Sequence, residues 1–342
     1  MKDRKTTLRA LAQELDIHVS TVSRVLHGDE RMAAKAASQE TIKRIRSLAK
    51  EHGYTPNPHA IGLKTNQSKW IGVTVPRLSD YVWASIYEGL EEYALARNYY
   101  TYASNSYDDP DLHRRQIAMA EARRVDGMIF GDVHLTDDTL DILGKLQIPF
   151  VTALRYAGDY PSITVDDCDG GRQAARHLFE RGHRNVGVLA GQKYTSTGQD
   201  RTKGFVDFYR EAGYPISPSS IVHSHVSAEE GHQCAEYLLS NFPKMTAIYA
   251  TNDFAAIGAM GAMRDAGHVP GQTMALIGYN DTPLAPVLPI SLTTLRTPLR
   301  EIGAMSMSVL LDMLRGKPGK SILMKPHLIV RQSSNYTAGA LL

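Results

Sequence analysis

Apolar residues recur along this chain with two different periods. Over residues 7–15, Leu8, Leu11, Ala12 and Leu15 stand at i, i+3, i+4 and i+7, the spacing of one apolar helix face. Thr7, or Thr6 before it, is suited to cap that helix, because its hydroxyl can accept from an otherwise unpaired first-turn amide. Asp16 interrupts the pattern, which resumes over 19–26 with Val22, Val25 and Leu26 on the inner side. A third helical stretch over 38–52 turns Ile42, Ile45, Leu48 and Ala49 inward and Lys43, Arg44, Arg46 and Lys50 outward. Gly53 follows where helices commonly end in a left-handed residue. Pro56 and Pro58 then stop any continuation and open a linker to residue 69. Within it, residues 58–64 have the length for one or two helical turns, which Gly62 weakens.

From Trp70 onward the period changes. Short apolar runs at 71–75, 100–103, 127–130, 150–153, 186–190, 247–250 and 275–277 read as strands. Amphipathic stretches at 86–97, 112–123, 171–181, 202–212, 229–241 and 255–266 read as the helices between them. Strand–helix alternation predicts parallel, doubly wound sheets, with ligands beyond the strands' C-terminal ends. The region is long enough for two such halves.

The two leading helices, joined by about three residues, fit a helix-turn-helix, whose second helix enters the major groove of DNA. Its outward positions are Val19, Ser20, Ser23, Arg24 and His27. They offer small polar groups, an aliphatic side chain for a thymine methyl, and an Arg suited to guanine O6 and N7. An ordinary helical hairpin with a solvated Arg has the same period, so the pattern alone leaves both readings open.

Charge favours the first. Residues 1–69 hold 13 Lys and Arg against 7 Asp and Glu, whereas the remainder holds 25 against 29, within a net charge of +2. A basic head on a mildly acidic body suits a polyanion that meets the head alone. At 342 residues, 43% hydrophobic and 22% charged, the chain has the size of two or three globular domains and no apolar run of membrane-spanning length. The charged start, Met1-Lys2-Asp3-Arg4-Lys5, lacks the apolar segment of a secretion signal, so the expected location is the cytoplasm, on the nucleoid. Cys168 and Cys234 have no metal spacing and imply no disulfide framework; they read as buried, inert thiols.

Specific motifs lie on this framework. Thr7-Leu8-Arg9-Ala10-Leu11-Ala12, then Val19-Ser20-Thr21-Val22-Ser23-Arg24-Val25-Leu26, then Gly53-Tyr54-Thr55-Pro56-Asn57 with Ala60 and Leu63, resemble the head of the lactose-repressor (LacI/GalR) family. The resemblance continues through Val165-Asp166-Asp167-Cys168-Asp169-Gly170-Gly171, Gly182-His183-Arg184, Arg201-Thr202-Lys203-Gly204-Phe205, Thr251-Asn252-Asp253, Gly278-Tyr279-Asn280-Asp281 and Leu292-Thr293-Thr294-Leu295, covering almost the whole chain in order. It implies an N-terminal all-α helix-turn-helix domain (1–55), a hinge (56–69), and an α/β periplasmic-binding-protein-like core (70–335) of two doubly wound subdomains. These would be residues 70–167 with 296–322, and 168–295 with 323–335.

The resemblance implies a transcriptional regulator, a repressor, whose affinity for near-palindromic operator DNA is controlled by a small-molecule effector between the subdomains. By resemblance, Val19, Ser20 and Arg24 face bases, Thr7, Thr21, Ser23 and Tyr54 touch the backbone, and Leu63 wedges into the minor groove from a hinge helix. His18, His27, Asn57, Ala60 and Lys64 complete the expected DNA-contacting set. Three departures stand out: His18 replaces a helix-capping Ser, residues 31–37 look longer than the family's loop, and Ile61-Gly62 replaces Arg-Ser before the hinge leucine.

The expected effector site holds Asp80, Val82, Trp83, Arg201, Tyr249, Asn252, Asp253 and Asn280. Arg201 can donate two parallel hydrogen bonds, Asp253 and Asn280 can accept from hydroxyls, and Trp83 and Tyr249 can stack on a sugar or base. Asn280 stands in place of the family's commoner Asp, and Asp80-Tyr81-Val82-Trp83 in place of its Asn-Pro-aromatic-aromatic. A sugar, polyol or nucleoside fits these groups. Plainer roles are open for several of them: Asn252-Asp253 as a helix cap, Trp83 as core, Arg201 in a surface ion pair, and His177 and His183 in packing or at a helix end.

Two rival classes fit less well. An enzyme would be expected to show a phosphate loop, a nucleophile elbow or paired metal ligands, and the 13 histidines are scattered. Neither catalysis, a metal nor a cofactor is expected. A periplasmic sugar-binding protein would share the body's fold but carry a signal peptide and no basic head. With little chain after Asn335 for a heptad tail, a homodimer is expected.

Overall fold

The computed structural model describes residues 6–27, 30–54, 67–223 and 227–338. The chain forms two compact units, Met1–Lys69 and Trp70–Leu342.

The first unit contains α1 (Leu8–Glu14), α2 (Val19–His27), α3 (Glu30–Ala36) and α4 (Gln39–Glu51). Their apolar stripes meet in one core of Leu11, Ala12, Val22, Val25, Ala33, Ile42, Ile45 and Ala49. Thr7 caps α1 by accepting from the Ala10 amide at 3.3 Å, and Asp16 turns the chain with φ of 51°. Ser38 caps α4 through the Thr41 amide. Gly53, at φ 59°, ends it; Tyr54 N–H then reaches Ala49 O at 2.8 Å and Gly53 N–H reaches Lys50 O, which closes the last turn as a Schellman motif. The segment that looked like a lengthened loop is α3. It buries only Ala33, so it carries little apolar periodicity, and an ion pair from Glu30 to Arg46 at 2.8 Å holds it to α4.

The second unit contains two six-stranded sheets. The first uses β1 (Trp70–Val75), β2 (Tyr100–Asn105), β3 (Gly127–Phe130), β4 (Phe150–Ala153), β5 (Ser162–Val165) and β11 (Ile322–Met324) in the order β11-β5-β4-β3-β1-β2. The second uses β6 (Val186–Ala190), β7 (Ile221–His223), β8 (Ala247–Ala250), β9 (Ala275–Asn280), β10 (Thr293–Arg296) and β12 (His327–Ile329) in the order β12-β10-β9-β8-β6-β7. Neighbours are parallel throughout, save the antiparallel pair β10–β12. The chain passes between the sheets after β5, after β10 and after β11. The last passage thus follows Met324 rather than residue 322, and Leu292-Thr293-Thr294-Leu295 is mostly strand β10, with the passage just beyond it.

The helices are α5 (Tyr81–Leu95), α6 (Pro110–Ala122), α7 (Asp137–Lys145), α8 (Asp167–Glu180), α9 (Ser196–Glu211), α10 (Ala228–Asn241), α11 (Asp253–Asp265) and α12 (Leu299–Met313). Three pairs cross through reciprocal glycines: α5 with α12 at Gly89 and Gly303, α8 with α9 at Gly171 and Gly204, and α10 with α11 at Gly231 and Gly258. A Cβ on Gly204 would stand 1.9 Å from Cys168 O, and one on Gly171 2.2 Å from Arg201 O. Only glycine lets these backbones approach so closely. The α8–α9 contact is what brings Asp167, at the start of one helix, beside Arg201 on the other. Both cysteines are free and partly rather than fully buried. No helix among the described residues is long and apolar enough to cross a membrane.

Candidate functional site

On the head, α2 buries Val22 and Val25 and leaves Arg24 exposed, with Ser20, Thr21, Ser23 and His27 partly exposed. Val19 packs partly on the head core. His18 supplies the start of the helix itself: its carbonyl accepts from Thr21 N–H and its ring Nδ1 from Ser20 N–H at 3.2 Å. The imidazole therefore replaces the capping hydroxyl of a Ser. At the other end, His27 Nε2 lies 3.2 Å from the Tyr54 hydroxyl, which ties α2 to the segment after α4. Asn57, Ala60, Leu63 and Lys64 lie outside the described residues.

In the body, the loops after β1, β2, β4, β6, β8 and β9 converge on a cleft of about 690 Å³, beyond the carboxyl ends of the strands. Asp80, Val82, Trp83, Arg201, Asn252 and Asn280 all line it. Asp80 caps α5 by accepting from the Val82 amide at 2.9 Å, and burial raises its pKa. Trp83 is only 4% exposed and packs so tightly on Gly131 that a Cβ there would meet its ring at 2.3 Å. It is largely core, with one edge on the cleft. Asn252 caps α11 through the Ala255 amide at 2.8 Å, so the plainer role and the place on the wall coexist.

Arg201 is paired, but in the interior. Its Nε donates to Asp167 Oδ1 at 2.9 Å, Nη1 to Thr251 O at 2.9 Å, and its guanidinium lies 3.8 Å from the Tyr279 ring centre. Burial opposes its charge, but the Asp167 carboxylate together with the neighbouring Tyr279 and Tyr249 outweighs that, so its pKa is raised. Nη2 is buried with no hydrogen-bond partner among the described residues.

Two expected site residues are elsewhere. Tyr249 is fully buried and stacks on Phe205 at 4.4 Å. Side chains alternate across a strand, and on β8 that places Ala247 and Tyr249 in one apolar cluster and Ile248 and Ala250 in another. Asp253, 0% exposed, accepts from Thr282 N–H at 2.7 Å and from Thr294 Oγ1 at 2.6 Å. It fastens β10 and the loop after β9 to α11, and burial pushes its pKa up to about 6. His177 and His183 are structural: His177 meets Ser334 Oγ at 2.8 Å, and His183 bridges Thr246 Oγ1 and Tyr336 O rather than a helix end.

The wall also holds Asp108 and Arg155, which no sequence motif singles out. Arg155 grips both oxygens of Asp108, at 2.6 and 3.3 Å, and His134 Nε2 lies 3.3 Å from the same carboxylate. Burial would raise the Asp108 pKa, but the Arg155 charge and these hydrogen bonds hold it well below the carboxylate range. Tyr107, Asp108, Leu154 and Asn280 line the cleft with positive φ of 55°, 56°, 62° and 107°. Such backbone costs a non-glycine residue on the order of 1–3 kcal/mol and tends to cluster at ligand sites. The two subdomains also touch beside the cleft. Leu135 N–H donates to Tyr194 O at 2.8 Å, Tyr156 N–H to Ser196 Oγ at 3.1 Å, and Tyr156 OH to Asp200 Oδ2 at 3.0 Å.

Comparison with known proteins gives consistent findings. Residues 7–57 match the family described as bacterial regulatory proteins, lacI family, and residues 175–334 match the periplasmic binding protein-like domain. The HTH-type transcriptional regulator DegA of Bacillus subtilis (strain 168) is 30% identical over 339 residues, which span 97% of this chain and 98% of that protein. The HTH-type transcriptional repressor PurR of Haemophilus influenzae (strain PittEE) is 28% identical over 334 residues, 96% of this chain and 98% of its own. Among solved structures, the lac repressor dimer bound to operator and the anti-inducer ONPF superposes with a TM-score of 0.86 at 24% identity, over 96% of this chain and 99% of that one.

Proposed function

The chain belongs to the lacI family of bacterial regulatory proteins, and from that premise we propose that it is an operator-binding repressor controlled by a neutral small molecule held in the body's cleft. The head, residues 1–55, reads DNA; residues 56–69 are the hinge; the body, residues 70–335, binds the effector and pairs two chains. Two α2 helices then enter successive major grooves of a near-palindromic site. Val19, Ser20 and Arg24 face bases. Thr7, His18, Thr21, Ser23, His27 and Tyr54 position the head on the backbone, and Asn57, Ala60, Leu63 and Lys64 contact DNA from the hinge. The dimer is carried over from the lac repressor's described state.

The observation that carries the effector reading is Arg201 Nη2. A buried guanidinium nitrogen without a partner among the described residues is costly unless something meets it, and Arg201 lines the cleft. Its charge is already balanced by Asp167, as that of Arg155 is by Asp108. The wall thus offers directed hydrogen bonds without a surplus of buried positive charge, which suits a sugar, polyol or nucleoside better than a phosphate ester. Binding shifts the subdomain contacts at Tyr156 and Leu135, and with them the hinge segments.

A thermal-shift screen of sugars, polyols and nucleosides against the whole chain tests this. A true effector at one hundred times its Kd adds about 2.7 kcal/mol of apparent stability. Asn280→Ala should lose that shift while retaining operator binding. If only phosphorylated compounds raise the melting temperature, the neutral class is wrong.

A further inference from the structure

The ring of His18 and the hydroxyl of Ser20 are bonded to each other at the start of α2. Ser20 N–H donates to His18 Nδ1 at 3.2 Å, and Ser20 Oγ lies 2.7 Å from the same nitrogen. A backbone amide can only donate, so the first contact makes Nδ1 an acceptor and puts the ring proton on Nε2. Nδ1 then has no hydrogen to give, and the 2.7 Å contact runs from the Ser20 hydroxyl to the ring. The single hydrogen of Ser20 Oγ is taken up by the His18 ring at the surface of the head, and its oxygen has only lone pairs left to offer. A free serine rotor suits either polarity of base edge; this one is an acceptor.

Resting on the reading that the first residues of α2 meet base edges in the major groove, we propose that His18 fixes the base preference of Ser20. Ser20 accepts from an exocyclic amino group, so the base it faces on its strand is adenine or cytosine and not guanine or thymine. Adenine N6 and cytosine N4 are the major-groove donors, whereas guanine O6 and N7 and thymine O4 are acceptors. An acceptor facing the Ser20 oxygen leaves both groups without a hydrogen and displaces water that would have bonded each. That the head binds DNA follows from the family; the polarity follows from the His18–Ser20 geometry. Ser20 is the reading group and His18 its positioning residue.

The test is selection from a DNA library randomised across a near-palindromic site, bound by the full chain and sequenced, for wild type, Ser20→Ala, His18→Ala and His18→Asn. Wild type should show one position per half-site where adenine and cytosine together exceed guanine and thymine about fivefold, the change one neutral hydrogen bond supports. Ser20→Ala should level that position alone, and His18→Ala should level it by freeing the hydroxyl rotor. His18→Asn, whose Oδ1 can take the same two donors, should restore it. Guanine or thymine at the position sensitive to Ser20→Ala overturns the proposal. So does a profile indifferent to Ser20→Ala, an adenine–cytosine preference that survives His18→Ala, or failure of His18→Asn to restore it. If His18→Ala loses every position because the helix start frays, His18→Asn decides alone: adenine and cytosine retained supports the proposal, any other outcome sinks it. No enrichment anywhere in wild type would instead remove the DNA-reading premise, and the inference with it.

Discussion

The reading helix and the cleft use polar side chains in opposite ways. On α2, Arg24 stands exposed and Ser20 is tied to His18, its neighbour two residues back, so the groups that would recognise DNA meet their partners from the water-facing surface. In the cleft wall, Arg201 and Arg155 are 4% and 6% exposed, each gripped by a carboxylate from a distant part of the chain. The first arrangement makes binding salt-sensitive and leaves folding indifferent. The second makes the site part of the body's stability, because a buried charge without its partner is far costlier than an exposed one. A side chain's role in recognition is therefore separable from folding in the head and entangled with it in the cleft.

The largest effect should come from breaking a buried pair. Asp167→Ala leaves the Arg201 guanidinium uncompensated, and chemical denaturation of the body should show a loss of about 3–5 kcal/mol. A loss below about 1 kcal/mol would mean that the pair is effectively solvated. Arg24→Ala should do the reverse. Operator affinity should fall by about 1–3 kcal/mol if the side chain pairs with a guanine, while stability stays within about 0.5 kcal/mol. Anisotropy and a melting curve on one sample separate the two quantities, and a drop in stability instead of affinity would collapse the contrast.

A smaller effect is set by pH. Burial pushes the His177 imidazole from its ordinary 6.5 down to about 4. Between those values the unfolded chain takes up a proton that the folded body refuses, so the contribution of His177 is fully present above 6.5 and is lost as pH falls toward 4. The difference in melting temperature between wild type and His177→Gln should shrink from pH 7 to pH 5. A constant difference would show that the imidazole is not held neutral. The smallest effect is predicted for Tyr249→Phe. Its hydroxyl is buried and has no hydrogen-bond partner among the described residues, so removing it should change stability by no more than about 1 kcal/mol and leave any ligand-induced melting shift intact. Loss of that shift would return Tyr249 to the cleft wall.

The same contrast governs how much of each site was legible in the sequence. The head's face lies within ten consecutive residues of one helix and its leading residue, so the 3.6-residue period separates Val22 and Val25 from Ser20 and Arg24 directly. Its one hidden piece, α3, has the alanine-rich sequence of a good helix former but only a single buried residue to mark a face. Most body strands announce themselves as apolar runs. Strand β10 does not, because Thr293 and Thr294 are buried with their hydroxyls satisfied by Arg331 O and Asp253. The pair Asp108–Arg155 joins residues 47 apart, and no local pattern tells a buried ion pair from two solvated charges. Tyr249 and Asp253 depart from their expected place because position at a strand's end says that a residue is near the cleft, not which way its side chain turns. Asn280, the last residue of β9, shares that position and does line the cleft; the difference lies in the register of β8 and in two threonines that claim the Asp253 carboxylate first.

What enters the cleft should alter what the head holds, and this coupling is what makes the chain a regulator. It is tested most directly by titrating the full chain against a fluorescent near-palindromic operator, with and without the compound that raises the body's melting temperature. A coupling of about 1–3 kcal/mol predicts a 5- to 150-fold change in operator Kd, lost in Asn280→Ala, with Kd in the absence of compound unchanged. A compound that stabilises the body yet leaves operator Kd the same would contradict the account.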